Sequence, residues 1–277
     1  MKKWSVLLLL MIFLTGCRSS LFGGNSIIEW VDFIKWNGVT YDGIYTGTLS
    51  DTKYIGEKIG EVKFRVADNV SNPNYKIRNG DAAFHEKGTE IYTIKGYPQL
   101  IAVKSPRDIN GYRVYYSRDD TEFKWHFKDM PIEKVNRIEI FLAYTPNGSQ
   151  KIVDINTGEE VKRFLEILST SKETPTFQPN TGNSDPIYYE MVFYTDEPIA
   201  HKYDLQYDGN TYYWHPWDTS IISGEIGEFL PENLKKAGQL GLLFSVVSRT
   251  FPKLRFSINQ SPYNVVTVWD NIREVIQ

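Results

Sequence analysis

In several segments the polar and apolar positions alternate with a period of two, which is the signature of strands with one buried face. Asn37-Gly38, between Phe33-Ile34-Lys35-Trp36 and Val39-Thr40-Tyr41, predicts a tight hairpin, because both turn residues tolerate positive φ. Across Glu61–Val66, Val62, Phe64 and Val66 alternate with Glu61, Lys63 and Arg65, which predicts a half-buried strand. Further short strands are expected at 90–94, 100–103 and 112–116, separated by Gly, Pro and Asn. No amphipathic helix is expected before residue 119. Strands of this kind bury themselves as a sandwich or a partly closed barrel, so residues 27–118 read as a β-rich domain.

Residues 119–135 carry many charges and Pro131 and read as a connection. After it the period changes. Ile138, Ile140, Leu142 and Tyr144 alternate along one strand, and Pro146-Asn147-Gly148 turns the chain into another. Thr157-Gly-Glu-Glu160 is a capping box, and Val161, Phe164, Leu165 and Leu168 follow at helical spacing, so a helix is expected from Gly158. Residues 171–186 read as a loop. Strands are expected at 188–195, 199–207 and 211–215, and a short helix or turn at 221–230. Residues 136–230 therefore form a smaller α+β domain, and the fold class as a whole is α+β. Within 231–277, a helix over 231–247 and a strand over 264–269 are expected, as an extension whose fold the pattern does not define.

The first residues follow a different logic. Met1-Lys2-Lys3 is positively charged and Val6–Leu14 is an unbroken apolar run, too short to span a bilayer and of the length of a signal-peptide core. Leu14-Thr15-Gly16-Cys17 then matches a bacterial lipobox, in which the Cys17 thiol receives the diacylglyceryl group and its acyl chains (palmitate is typical). Cys17 is the sole cysteine, which leaves its thiol free for that reaction and leaves the folded part without disulfides. Residues 1–16 are thus expected to be removed, Cys17 to carry the anchor, and the Ser/Gly-rich stretch to residue 26 to act as a flexible tether. The expected place is the extracytoplasmic face of the cell membrane.

Removing Lys2 and Lys3 with the signal leaves 29 basic residues against 34 acidic ones. A mildly acidic chain without a basic run is a poor partner for nucleic acid. No GxSxG, HExxH, P-loop or GxGxxG motif occurs among the 277 residues. No cofactor is expected.

Two stretches resemble uncharacterised lipoproteins of Gram-positive, Bacillus-like bacteria. One runs from Lys35-Trp-Asn-Gly-Val-Thr-Tyr41 through Ile55-Gly-Glu-Lys-Ile-Gly60 to Gly80-Asp-Ala-Ala-Phe84 and Gly88–Tyr97. The other is Tyr188–Asp218, ending in Tyr-Trp-His-Pro-Trp-Asp. The resemblance implies the same compartment and supplies no catalytic residues.

Three functions remain in view. The first is a non-catalytic binding or accessory protein of the envelope, with a wall glycan or an envelope protein as partner. Tyr212, Tyr213, Trp214 and Trp217, with Trp125, would then form a platform on which sugar faces stack. Core packing of a β-hairpin explains the same aromatics. The second is a metal-dependent hydrolase that uses His201 and His215, beside Asp204 and Asp218. Strand parity makes a His pair there only if the loop after Tyr207 has three residues. The third is a protein inhibitor or immunity-type protein.

Overall fold

A computed structural model of the chain describes residues 28–119, 126–182 and 185–232. The expected signal segment, Cys17, the expected tether, Trp125, the expected helix over 231–247 apart from its first two residues and the expected strand over 264–269 lie outside the described residues. The architecture is strand-rich α+β, with an eight-stranded sheet curled into a half-barrel.

The first half contains β1 (Phe33–Trp36), β2 (Val39–Gly43), β3 (Gly47–Leu49), β4 (Ile55–Glu61), β5 (Phe64–Arg65), β6 (Asp81–Ala82), β7 (Glu90–Ile94), β8 (Tyr97–Lys104) and β9 (Tyr112–Ser117). All but β3 join one sheet in the order β4-β7-β8-β9-β2-β1-β6-β5. Asn37 and Gly38 both take positive φ, as the expected β1–β2 turn requires. The strand expected at 61–66 is broken. The ladder with β7 ends at Glu61, and Phe64-Arg65 instead pairs in parallel with β6. Val62 and Val66 still face inward, so the alternation reported burial correctly and continuity wrongly.

The second half runs β10 (Arg137–Thr145), β11 (Gly148–Ile155), α1 (Gly158–Ser169), β12 (Lys172–Glu173), β13 (Ile187–Tyr194), β14 (Ile199–Tyr207), β15 (Tyr212–Trp214) and β16 (Ser220–Ile222), then a 3-10 helix at Gly224–Phe229. The sheet order is β11-β10-β13-β14-β15-β16-β12. Thr157 caps α1 by accepting from the Glu160 backbone N–H, and Val161, Phe164, Leu165 and Leu168 bury themselves against the inner face of the sheet. Within the expected connection, Phe127 and Met130 also enter this core.

The halves are stitched together. β3 leaves the first sheet and pairs with the start of β14, with Leu49 opposite Ile199 and Gly47 opposite His201. Tyr54 and Tyr97 donate their hydroxyls to the Asp196 carbonyl and the Glu197 carboxylate. The Arg107 carbonyl accepts from the Ser149 N–H. Ile109 packs into a small apolar cluster with Phe141, Val192, Tyr194 and Ala200 on the outer face of the second sheet. One end of that outer face is thereby covered, whereas at the other end Tyr144 and Asp204 are exposed and only Tyr213 is covered, by Phe177.

Candidate functional site

Pairing register decides which of the candidate residues meet. Tyr207 opposes Tyr212, so the loop Asp208–Thr211 has four residues, fixed by the Asp208 carboxylate accepting from the N–H groups of Asn210 and Thr211. Continuing that register by one residue sets His215 opposite Asp204, on the outer face, while His201 lies on the inner face with Tyr203 and Leu205. The sheet separates the two histidines, which is the correction to the expected metal pair. Among the described residues no three His, Cys, Asp or Glu side chains are placed to hold one ion. His201 is half-buried, and loss of solvation pulls its imidazole below the usual range.

The aromatic hairpin is also corrected. Tyr212 and Trp214 point inward and are buried in the second core. Trp214 is 1% exposed and donates its indole N–H to Ser171 Oγ at 3.0 Å, so its polar edge is satisfied inside. Tyr213 lies on the outer face but under Phe177, at a ring separation of 5.0 Å. Trp217 alone of the hairpin aromatics reaches the surface, 78% exposed and edge-on to His126. The contiguous platform at 212–217 therefore does not form, because the hairpin spends its rings on packing.

This other end of the outer face carries a different set. Tyr188, Gln206 and Tyr213 form one row across β13, β14 and β15. Tyr144 closes that row. Its ring stands edge-on to Tyr188 at 5.3 Å and is 68% exposed. The register of β10 against β11 shifts between Leu142 and Thr145, and Tyr144 takes a φ of +57° there, which turns its ring out of the strand alternation. In the next row Glu190 opposes Asp204. Glu190 accepts from Lys202 Nζ at 2.6 Å and from the Ser149 hydroxyl, so its charge is fixed in place. Asp204 stands at the surface but is crowded. Desolvation raises its pKa and the Glu190 charge adds to this, while Lys202 and His215 oppose. Gln206 accepts from the Tyr213 hydroxyl at 2.8 Å, which fixes its amide plane. The result is a shallow surface with one exposed ring, a second ring beside it, and positioned carboxylate, amide and imidazole groups.

The first half holds a buried polar chain of its own. The Asp32 carboxylate, in a residue only 2% exposed, accepts from the Tyr115 hydroxyl at 2.9 Å and from the Arg113 guanidinium at 3.2 Å. Arg113 also holds Asp108 at 2.9 Å. Burial opposes ionisation of Asp108, yet the Arg113 charge and hydrogen bonds, with help from Lys202, keep its pKa below the usual range. Tyr115 gives its one proton to Asp32, so His85, 2.6 Å away, donates Nε2–H to the phenol oxygen. Gly43 leaves the room this needs: a Cβ there would lie 2.7 Å from Asp32 Oδ2. The pattern of the sequence shows none of this chain, since its members come from separate strands and loops.

No known protein family, curated protein or solved structure matches this chain.

Proposed function

We propose that this chain is a lipoprotein anchored through Cys17 to the extracytoplasmic face of the cell membrane, where it binds a wall glycan without turning it over. The observation that carries the binding reading is the exposed Tyr144 ring set beside the half-buried Tyr188 and Gln206, with the exposed Asp204 and His215 next to them. Pyranose rings present apolar C–H faces and a rim of hydroxyls. The exposed Tyr144 ring and the half-buried Tyr188 ring take the faces, and the carboxylate, amide and imidazole groups beside them take the hydroxyls. The anchoring reading rests on the charged start, the short apolar run and the Leu14–Cys17 lipobox, and on the resemblance of two stretches to Gram-positive lipoproteins.

Isothermal titration of the full chain with solubilised wall glycan tests the binding. Saturable binding that Tyr144→Ala and Tyr188→Ala each weaken by about tenfold, with unchanged melting, is the expected result. Each ring is asked to supply about 1.4 kcal/mol, the free energy of that factor. Undiminished binding by both variants overturns this site. For the anchor, mass spectrometry of the chain from a bacterial host is expected to find acyl chains on Cys17 and none on a Cys17→Ser variant. An unmodified Cys17 overturns it.

A further inference from the structure

The geometry points to a second binding site, for a phosphate ester, in the open groove over Trp36 in the first half. The groove has a volume of about 550 Å³, within the range of small-molecule pockets, and Trp36, Lys58, Gly60, Lys63 and Lys87 line it.

Its electrostatics are unbalanced in one direction. Lys58 is fully engaged, by Glu61 at 2.6 Å and Glu90 at 2.9 Å, and these contacts hold its pKa well above the usual lysine range. Glu61, the one acidic residue among the described residues that line the groove, is thereby paired with Lys58. Lys63 and Lys87 face the same space and have no carboxylate partner among the described residues. Two ammonium groups are left to meet an anion that comes from outside. Lysine ammoniums suit phosphate as point charges.

The floor supplies a second, independent feature. Trp36 is 8% exposed, and its indole N–H has no hydrogen-bond partner among the described residues. A buried donor left unpaired costs about 1–3 kcal/mol, so such a group calls for an explanation. The glycine at position 60 brings the indole edge to the groove, since a Cβ there would lie 2.1 Å from the ring carbons. Lys63 Nζ rests over the same ring, 5.8 Å from its centroid. It is the end of a flexible side chain, free to shift from the ring face to a ligand while keeping its charge at hand. A phosphate oxygen accepting from Nε1–H, with Lys63 and Lys87 on its flanks, gives a partner to the groove donors that have none among the described residues. The organic part of the ester lies against the indole face. This site is independent of the Tyr144 surface.

Phosphate esters reach an envelope protein from two sources, lipid headgroups and phosphate-linked polymers. The test measures binding to the full chain in neutral detergent by ³¹P NMR line broadening. Two ligands are used, a short oligomer of glycerol phosphate and monomeric dihexanoyl phosphatidylglycerol. The expected result is saturable binding of at least one, weakened at least tenfold in a Lys63→Ala/Lys87→Ala variant and severalfold in Trp36→Phe, which keeps an aromatic ring, smaller than the indole, and removes the N–H. Added salt is expected to weaken it. Tighter binding of the oligomer identifies a polymer as the source, and tighter binding of the lipid identifies the headgroup. Both lysines are exposed, so their replacement leaves the fold intact. Absence of saturable binding to either ligand overturns the proposal, as does equal binding by the lysine variant.

Discussion

At the scale of single residues, two kinds of polar group behave differently on substitution. Asp32 is locked between Tyr115 and Arg113. Asp32→Ala leaves the buried Tyr115 phenol without its acceptor and leaves Arg113 with Asp108 alone, and is expected to cost about 3 kcal/mol, read as a fall in the urea midpoint. Tyr115→Phe keeps the Asp32–Arg113 pair and is expected to cost about 1 kcal/mol. Trp214→Ala is expected to cost about 4 kcal/mol by leaving a cavity, whereas Tyr144→Ala changes stability by less than about 0.5 kcal/mol because its ring faces water. The histidines add a pH dependence. Desolvation lowers the pKa of both His85 and His201 in the fold, so the unfolded chain binds protons first. Stability is therefore complete above the ordinary histidine value of 6.5 and is lost as pH falls through the depressed values. Melting curves between pH 7.5 and 5.5 are expected to show a falling midpoint, and a His85→Asn/His201→Asn variant a flatter profile.

At the scale of elements, local chemistry written into consecutive residues was legible and pairing between distant ones was not. The β1–β2 turn follows from Asn37-Gly38, and α1 follows from the Thr157 capping box and the Val161–Leu168 stripe. The break between β4 and β5 was hidden, because Val62, Phe64 and Val66 keep their alternation through it. The His201–His215 pair failed on a single residue of loop length, which moves a whole strand face. The aromatic site was misplaced for a related reason. Tyr144 shares parity with Ile138 and Ile140, and only the register shift in β10 turns it outward. Element-level substitutions follow from the same contacts. Thr157→Ala is expected to cost about 1 kcal/mol of stability through loss of the cap. Gly148→Ala is expected to cost more. Gly148 has a φ of +93°, and a Cβ there would lie 2.1 Å from the Arg107 carbonyl oxygen. Thermal melts of the two variants check the order.

At the scale of the whole molecule, the two halves form one stability unit. β3 belongs by sequence to the first half and pairs with the second, and the Tyr54, Tyr97 and Arg107 contacts reinforce that seam. A single calorimetric transition is expected, and Gly148→Ala at the seam is expected to lower it as a whole rather than split it. The same seam decides where a ligand fits. Ile109 and its neighbours cover the Phe141–Ala200 end of the second sheet and leave Tyr144 and Asp204 exposed at the other end. The measurement that tests this most directly is hydroxyl-radical footprinting of the full chain with and without solubilised wall glycan. Trp217 serves as an exposed reference outside the proposed surface. Protection of Tyr144 and Tyr188 with Trp217 unchanged is the predicted result. Protection of Trp217 with Tyr144 unchanged, or no protection at saturating glycan, contradicts the account.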